Sequence, residues 1–132
     1  MNLVSIRIIT ADVARLVEFY ERVTGVPATW STPDFAEVRA GSATLAIGST
    51  RTVALLAPDA ARPADNRSVI VEFLVGDVDA VHRDLTAFVA DFVTEPTTMP
   101  WGNRSLLLRD PDGNLVNVFT PVTPAAVARF AR

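Results

Sequence analysis

Residues 3–25 read LVSIRIITADVARLVEFYERVTG, and residues 69–89 read VIVEFLVGDVDAVHRDLTAFV. The two stretches follow one plan. In the first, Val4, Ile6 and Ile8 alternate with Ser5, Arg7 and Ile9, the two-residue period of a strand. Asp12 then stands where a helix N-cap belongs, its carboxylate able to accept orphan backbone N–H groups. Val13, Leu16, Val17, Tyr20 and Val23 recur at helical spacing, and Gly25 suits a left-handed end to the helix. In the second, Val71, Phe73 and Val75 alternate with Ile70, Glu72 and Leu74, Asp77 is the cap, and Val78, Val81, Leu85, Phe88 and Val89 form the stripe.

Working outward, each stretch is followed by three short strand candidates. After the first helix these lie near 28–31, 35–39 and 43–48, broken at Pro33-Asp34 and Gly41-Ser42. After the second they lie near 92–97, 104–109 and 115–120. Residues 51–67, with Pro58, Pro63, Asp59 and Asp65, mark a linker, although Val53–Leu56 could extend a strand. The chain therefore divides into a first βαβββ module over 1–50, the linker, a second βαβββ module over 68–121 and a tail over 122–132, where Pro124 suits the start of a short helix. Asp12 matches Asp77 at an offset of 65 (77 − 12), while Arg39 matches Arg109 and Leu45 matches Leu115 at 70 (109 − 39). Asp110-Pro111-Asp112-Gly113-Asn114 reads as the hairpin turn between the last two strands, not as a catalytic pair of carboxylates.

Composition narrows the function classes. Of 132 residues, 49% are hydrophobic and 20% charged, enough for one core-bearing domain. The formal net charge of −3 argues against nucleic acid as a partner. All 12 basic residues are Arg, so no lysine is available as a Schiff base or nucleophile. There is no cysteine, which removes disulfides, thiolate chemistry and cysteine-containing metal sites. No charged start followed by an apolar run suggests a signal peptide, and no apolar stretch approaches the ~18 residues of a membrane span. The expectation is a cytoplasmic protein with no membrane partner.

Three motifs, taken in order, resemble a known superfamily. They are Asp12…Phe19-Tyr20…Gly25, Val75-Gly76-Asp77-Val78-Asp79, and Arg109-Asp-Pro-Asp-Gly-Asn-Leu115. Together they are similar to the vicinal oxygen chelate superfamily, which groups glyoxalase I, extradiol dioxygenases, fosfomycin-inactivating enzymes and bleomycin resistance proteins. The resemblance implies an α+β fold in which two βαβββ modules form a curled mixed sheet around a central cup, commonly in homodimers. It also implies where a divalent cation would be held: first-strand positions seven residues before each capping aspartate, and fourth-strand positions two residues after the hairpin leucine. Here these are Ser5, Ile70, Ile47 and Asn117. None is a His or a carboxylate, and Zn²⁺, Mg²⁺ or Mn²⁺ want such donors. A shift of two residues would instead bring Arg7 and Glu72 to the first-strand positions, still a poor metal site. His82, the lone histidine, falls on the second helix at the edge of its apolar stripe. No metal and no cofactor are expected.

Strand alternation then gives the lining of the cup: Ser5, Arg7 and Ile9 in one module, Ile70, Glu72 and Leu74 in the other, with Val4, Ile6, Ile8 and Val71, Phe73, Val75 under the helices. A buried Arg7 and a buried Glu72 each need a partner, either one another and the backbone or a polar ligand. Asn117 stands between Leu115 and Phe119 on its face, where an amide must find hydrogen bonds. Trp30 and Trp101 come from matching regions of the modules and offer aromatic walls, with Phe35 near the former. Two functions stay open. One is a metal-free protein that binds a small, partly apolar molecule in the cup or dimer groove, sequestering a drug or metabolite. The other is an enzyme with displaced metal ligands, or a metal-free one using Glu72 as acid or base.

Overall fold

The computed structural model describes residues 1–131, and every statement of absence below concerns these residues. The first half runs β1 (Ser5–Thr10), α1 (Val13–Thr24), β2 (Thr29–Thr32), β3 (Phe35–Ala40), β4 (Ala43–Ser49) and α2 (Thr50–Leu56). The second runs β5 (Ile70–Leu74), α3 (Val78–Leu85), β6 (Thr97–Thr98), β7 (Asn103–Arg109), β8 (Leu115–Pro121) and α4 (Pro124–Phe130). The chain divides into two compact units, Met1–Asn66 with Pro111–Gly113 and Arg67–Asp110 with the residues from Asn114 on, each with its own four-stranded sheet, ordered β1-β4-β3-β2 and β5-β8-β7-β6. In each, the first strand pairs in parallel with the last and the other pairings are antiparallel.

The capping aspartates act as their position suggests. Asp12 Oδ1 accepts from the Arg15 amide and Asp77 Oδ1 from the Ala80 amide, both at 3.1 Å. Gly25 closes α1 at φ 70°, a left-handed conformation that glycine adopts without penalty. Burial follows the helical stripes. Leu16, Val17 and Tyr20 of α1 are buried, as are Ala36, Val38, Leu45 and Ile47 on the sheet that α1 packs against. Val78 and Leu85 of α3 are buried with Leu106, Leu108, Val116 and Val118 in the second half. The turn after β7 is fastened by its own side chains: Asp110 accepts from the Asn114 amide at 2.9 Å and from Asn114 Nδ2 at 2.8 Å, while Gly113 takes φ 82°.

Several expectations need correction. Residues Val53–Leu56 do not extend a strand. They belong to α2, because Ser49 caps the segment through the Arg51 amide and Val53 is buried on its inner side. The strand expected over 92–97 shrinks to Thr97–Thr98 plus one bridge from Phe92 to Leu108. Val4 and Ile6 are not packed under α1. Ile6 is 47% exposed, because β1 is an edge strand and only its end, at Ile9 and Thr10, is covered.

α2 also changes the description of the repeat. It follows β4 as α4 follows β8, with Ser49 and Thr123 as matching N-caps, so the duplicated unit is βαβββα. In α4 the Thr123 hydroxyl accepts from the Ala126 amide, and Pro124 supplies the preset first turn.

A surface ion pair ties α3 to β7: Arg104 donates Nε to Asp79 Oδ2 at 2.8 Å and Nη2 to Oδ1 at 3.0 Å. These bonds hold the Asp79 carboxyl below its ordinary 3.8. A carboxyl depressed on folding stabilises the fold above its unfolded pKa, and that contribution disappears as pH falls through the lower folded value. Carbon-detected NMR titration should therefore place the Asp79 midpoint below 3.8, and Arg104→Gln should return it toward that value. An Asp79 midpoint unchanged by Arg104→Gln would rule the pair out as the cause.

Candidate functional site

The face of each sheet turned away from α1 or α3 is the one on which the sequence places its candidate residues. Pairing registers fix which side chains share it. In the second half Glu72 stands opposite Asn117, which stands opposite Leu107, and one step along that face Leu74 stands opposite Phe119, which stands opposite Ser105. In the first half Ser5 stands opposite Thr44, and Arg7 opposite Ala46, which stands opposite Glu37. Ile47 stands opposite Ile8 and Ala36 instead, with its side chain wholly buried on the helix side. Ile47 is thus not a member of the candidate face. A strand alternates every residue, so a slip of one position moves a side chain to the opposite face.

The cause of the slip is in the hairpins. Ala40 pairs with Ala43 across a two-residue turn, but Arg109 pairs with Leu115 across the five residues Asp110–Asn114. Matching residues before the turn differ by 70, and those after it by 71 (117 − 46). The true counterpart of Asn117 is therefore Ala46, whose methyl group carries no donor atom.

The four positions that the resemblance assigns to a metal thus become Ser5, Ala46, Ile70 and Asn117. They offer one hydroxyl, two hydrocarbons and one amide, and the Asn117 amide donates to Glu72. No group of three or more His, Asp or Glu side chains able to hold a metal ion occurs among the described residues. This donor set does not fit a divalent cation.

Arg7 and Glu72 are both exposed rather than buried. The Arg7 guanidinium lies 4.9 Å from the centre of the Phe35 ring, a cation–π contact within the first half. Trp30, in β2, is 43% exposed and borders only a shallow hollow with Ser31, Thr32 and Pro33. His82 packs edge-on against Phe92, with ring centres 5.0 Å apart, which accounts for it structurally.

In the second half the candidates converge. Glu72, Asn117 and Trp101 line a single pocket of about 590 Å³, together with Leu74, Asn103, Phe119, Arg129 and Phe130. That volume lies within the usual range for small-molecule sites. Asn117 Nδ2 donates to Glu72 Oε2 at 2.8 Å and fixes the carboxylate on the pocket floor. Trp101 is 65% exposed, at the turn before β7. Phe119 and Phe130 pack with ring centres 5.2 Å apart, and the Arg129 guanidinium lies 5.3 Å from the Phe130 ring. Sequence reasoning missed Asn103, Arg129 and Phe130. For the last two the signal was present: Thr123-Pro124 starts a helix that must pack somewhere, and it returns to the face of β8.

A comparison of the halves explains the room. At Gly48 an added Cβ would lie 2.7 Å from Thr52 Oγ1 of α2, so in the first half the terminal helix sits directly on the sheet. Phe119 occupies the matching place in the second half (119 − 48 = 71), and its ring meets Phe130 of α4. A glycine lets one helix settle; a phenylalanine props the other.

The family model described as "Glyoxalase/Bleomycin resistance protein/Dioxygenase superfamily" matches residues 2–118. The chain belongs to this superfamily. A curated relative, the uncharacterized protein YraH of Bacillus subtilis (strain 168), is 26% identical over 125 residues, which is 90% of this chain and 98% of the relative. Among solved structures, a glyoxalase/bleomycin resistance protein/dioxygenase family enzyme from Burkholderia phytofirmans PsJN has a TM-score of 0.80 at 19% identity, covering 92% of this chain and 100% of that one. A glyoxalase/bleomycin resistance protein/dioxygenase from Nocardioides has a TM-score of 0.75 at 22% identity, covering 94% and 85%. At these identities the solved structures establish the fold of this superfamily member and not its chemistry. No helix of the described residues is long and apolar enough to cross a membrane.

Proposed function

We propose that this superfamily member is a small-molecule binding protein that works without a bound metal, and that the second-half pocket holds its ligand. The observation that carries the reading is the Glu72–Asn117 pair on the floor of a pocket walled by Trp101, Phe119 and Phe130. The lining joins the polar side chains Glu72, Asn103, Asn117 and Arg129 to three aromatic rings and Leu74, and polar groups placed beside aromatic walls can orient a small ligand. The donor set at Ser5, Ala46, Ile70 and Asn117 supports the metal-free part. Glu72 is the only carboxylate on the pocket, and one carboxylate without companions is a poor site for a hard cation. The superfamily's description spans enzymes and resistance proteins, and the pocket favours holding a molecule over transforming it. Glu72 has no neighbouring histidine or second carboxylate on the pocket to share acid–base work.

A thermal-shift screen of metabolites and antibiotics tests the proposal. A ligand present at a hundredfold excess over its Kd should stabilise the fold by about 2.7 kcal/mol, a rise of several degrees in Tm. Trp101→Ala should abolish most of that rise while leaving the ligand-free Tm nearly unchanged, since Trp101 is largely exposed. A ligand whose shift survives Trp101→Ala intact binds elsewhere, and the proposed site would be wrong.

A further inference from the structure

The pocket holds two opposite charges that do not neutralise each other. Glu72 and Arg129 both line it, and neither is in an ion pair with a described residue. Each is held in place by an uncharged neighbour. The Asn117 amide fixes one carboxylate oxygen of Glu72, and the Phe130 ring supports the Arg129 guanidinium. The same pocket is lined by the apolar surfaces of Leu74, Trp101, Phe119 and Phe130.

A ligand entering such a pocket is sorted by charge as well as by shape. A purely cationic molecule would satisfy Glu72 and bring like charge to Arg129. A purely anionic one would do the reverse. A neutral flat molecule would strip water from both charged groups and return nothing. A molecule that carries both signs, with an apolar body between or beside them, meets every demand.

Resting on the reading of this pocket as the ligand site, we infer that its occupant is a small zwitterion with an aromatic group, of which an aromatic α-amino acid is the simplest case. The ammonium group donates to Glu72, the carboxylate accepts from Arg129, preferably as a two-point contact, and the ring packs among Trp101, Phe119 and Phe130. Binding is non-covalent, and no bond is made or broken.

Four probes test this in nitrogen-15 NMR titrations that follow the Trp101 indole resonance, assigned with Trp101→Phe. They are L-phenylalanine, L-phenylalaninamide, which lacks the negative charge, N-acetyl-L-phenylalanine, which lacks the positive one, and benzyl alcohol, which lacks both. L-phenylalanine should bind about tenfold more tightly than either singly charged relative, the worth of one charge-assisted hydrogen bond. Glu72→Gln should weaken L-phenylalanine and the amide but spare the N-acetyl compound. Arg129→Gln should weaken L-phenylalanine and the N-acetyl compound but spare the amide. If either singly charged probe binds as tightly as L-phenylalanine, or the two variants leave its affinity unchanged, the zwitterion inference is overturned. Benzyl alcohol shifting Trp101 under those circumstances would leave the pocket standing as a site for neutral molecules. Silence of Trp101 toward all four probes would overturn the pocket itself.

Discussion

Gly102→Ala should destabilise the protein by about 3 kcal/mol, the sum of a positive-φ penalty, overpacking and a damaged helix cap, and displace the α4 wall of the proposed pocket. Gly102 has φ 95°, and a Cβ there would lie 2.1 Å from Thr123 Oγ1 and 3.0 Å from the Ala126 methyl. The contact cannot be relieved by rotating a flexible tip. Thr123 is the N-cap of α4, and the Gly102 carbonyl also accepts from the Val122 and Thr123 amides at 2.9 and 3.3 Å. Alanine would have to push the start of α4 off the sheet, and Arg129 and Phe130 would leave with it. Gly25→Ala is the control: φ there is 70°, but nothing stands within 4 Å of the added methyl. It should cost only about 1 kcal/mol. Urea unfolding measures both. Equal losses for the two variants would show that Gly102 is needed for its backbone conformation alone and that α4 is not held by this close approach.

Tyr20→Ala should have an effect of the same order or larger, about 3–5 kcal/mol. Tyr20 is completely buried on α1, among the largest side chains so enclosed, and it meets the Phe19 ring edge-on at 5.1 Å. Its removal leaves a cavity that the flanking strands cannot close, because Val38, Leu45 and Ile47 already pack at strand spacing. Chemical unfolding followed by circular dichroism would register the loss. A cost below 1 kcal/mol would mean that α1 contributes little to the stability of the first half.

What could be read from the chain, and what could not, divides along physical lines. The capped helices and their stripes were legible because they depend on local spacing: Asp12 and Asp77 sit where the first free N–H groups fall, and the buried side chains follow a 3.6-residue period. The face of Glu72 and Asn117 was legible for the same reason, at a period of two. Ile47 was misplaced because an offset measured before a hairpin was carried across it, and the longer Asp110–Asn114 turn adds a residue that shows only in the strand pairing. Arg7 and Glu72 are exposed where the alternation suggests burial. Alternation tells which face a side chain takes but not whether anything covers that face, and both lie on edge strands. The pocket wall from α4 is not legible because where a tail helix docks is a long-range matter, set by Gly102 and Phe119 meeting the helix's Ala126 and Phe130.

The contrast between Gly48 and Phe119 has a consequence for how such a protein can change. Every side chain named for ligand contact in the second half stands on one face of the sheet, at the turn before β7 or on α4, whereas Leu106, Leu108, Val116 and Val118 hold the fold from the other face. Substitutions at Glu72, Trp101 or Arg129 should therefore cost little stability and, under the proposed reading of the pocket, change which ligand is held. Under the proposed reading, recognition and folding fall on opposite sides of the same strands, so a new specificity can be acquired without first finding a new way to fold.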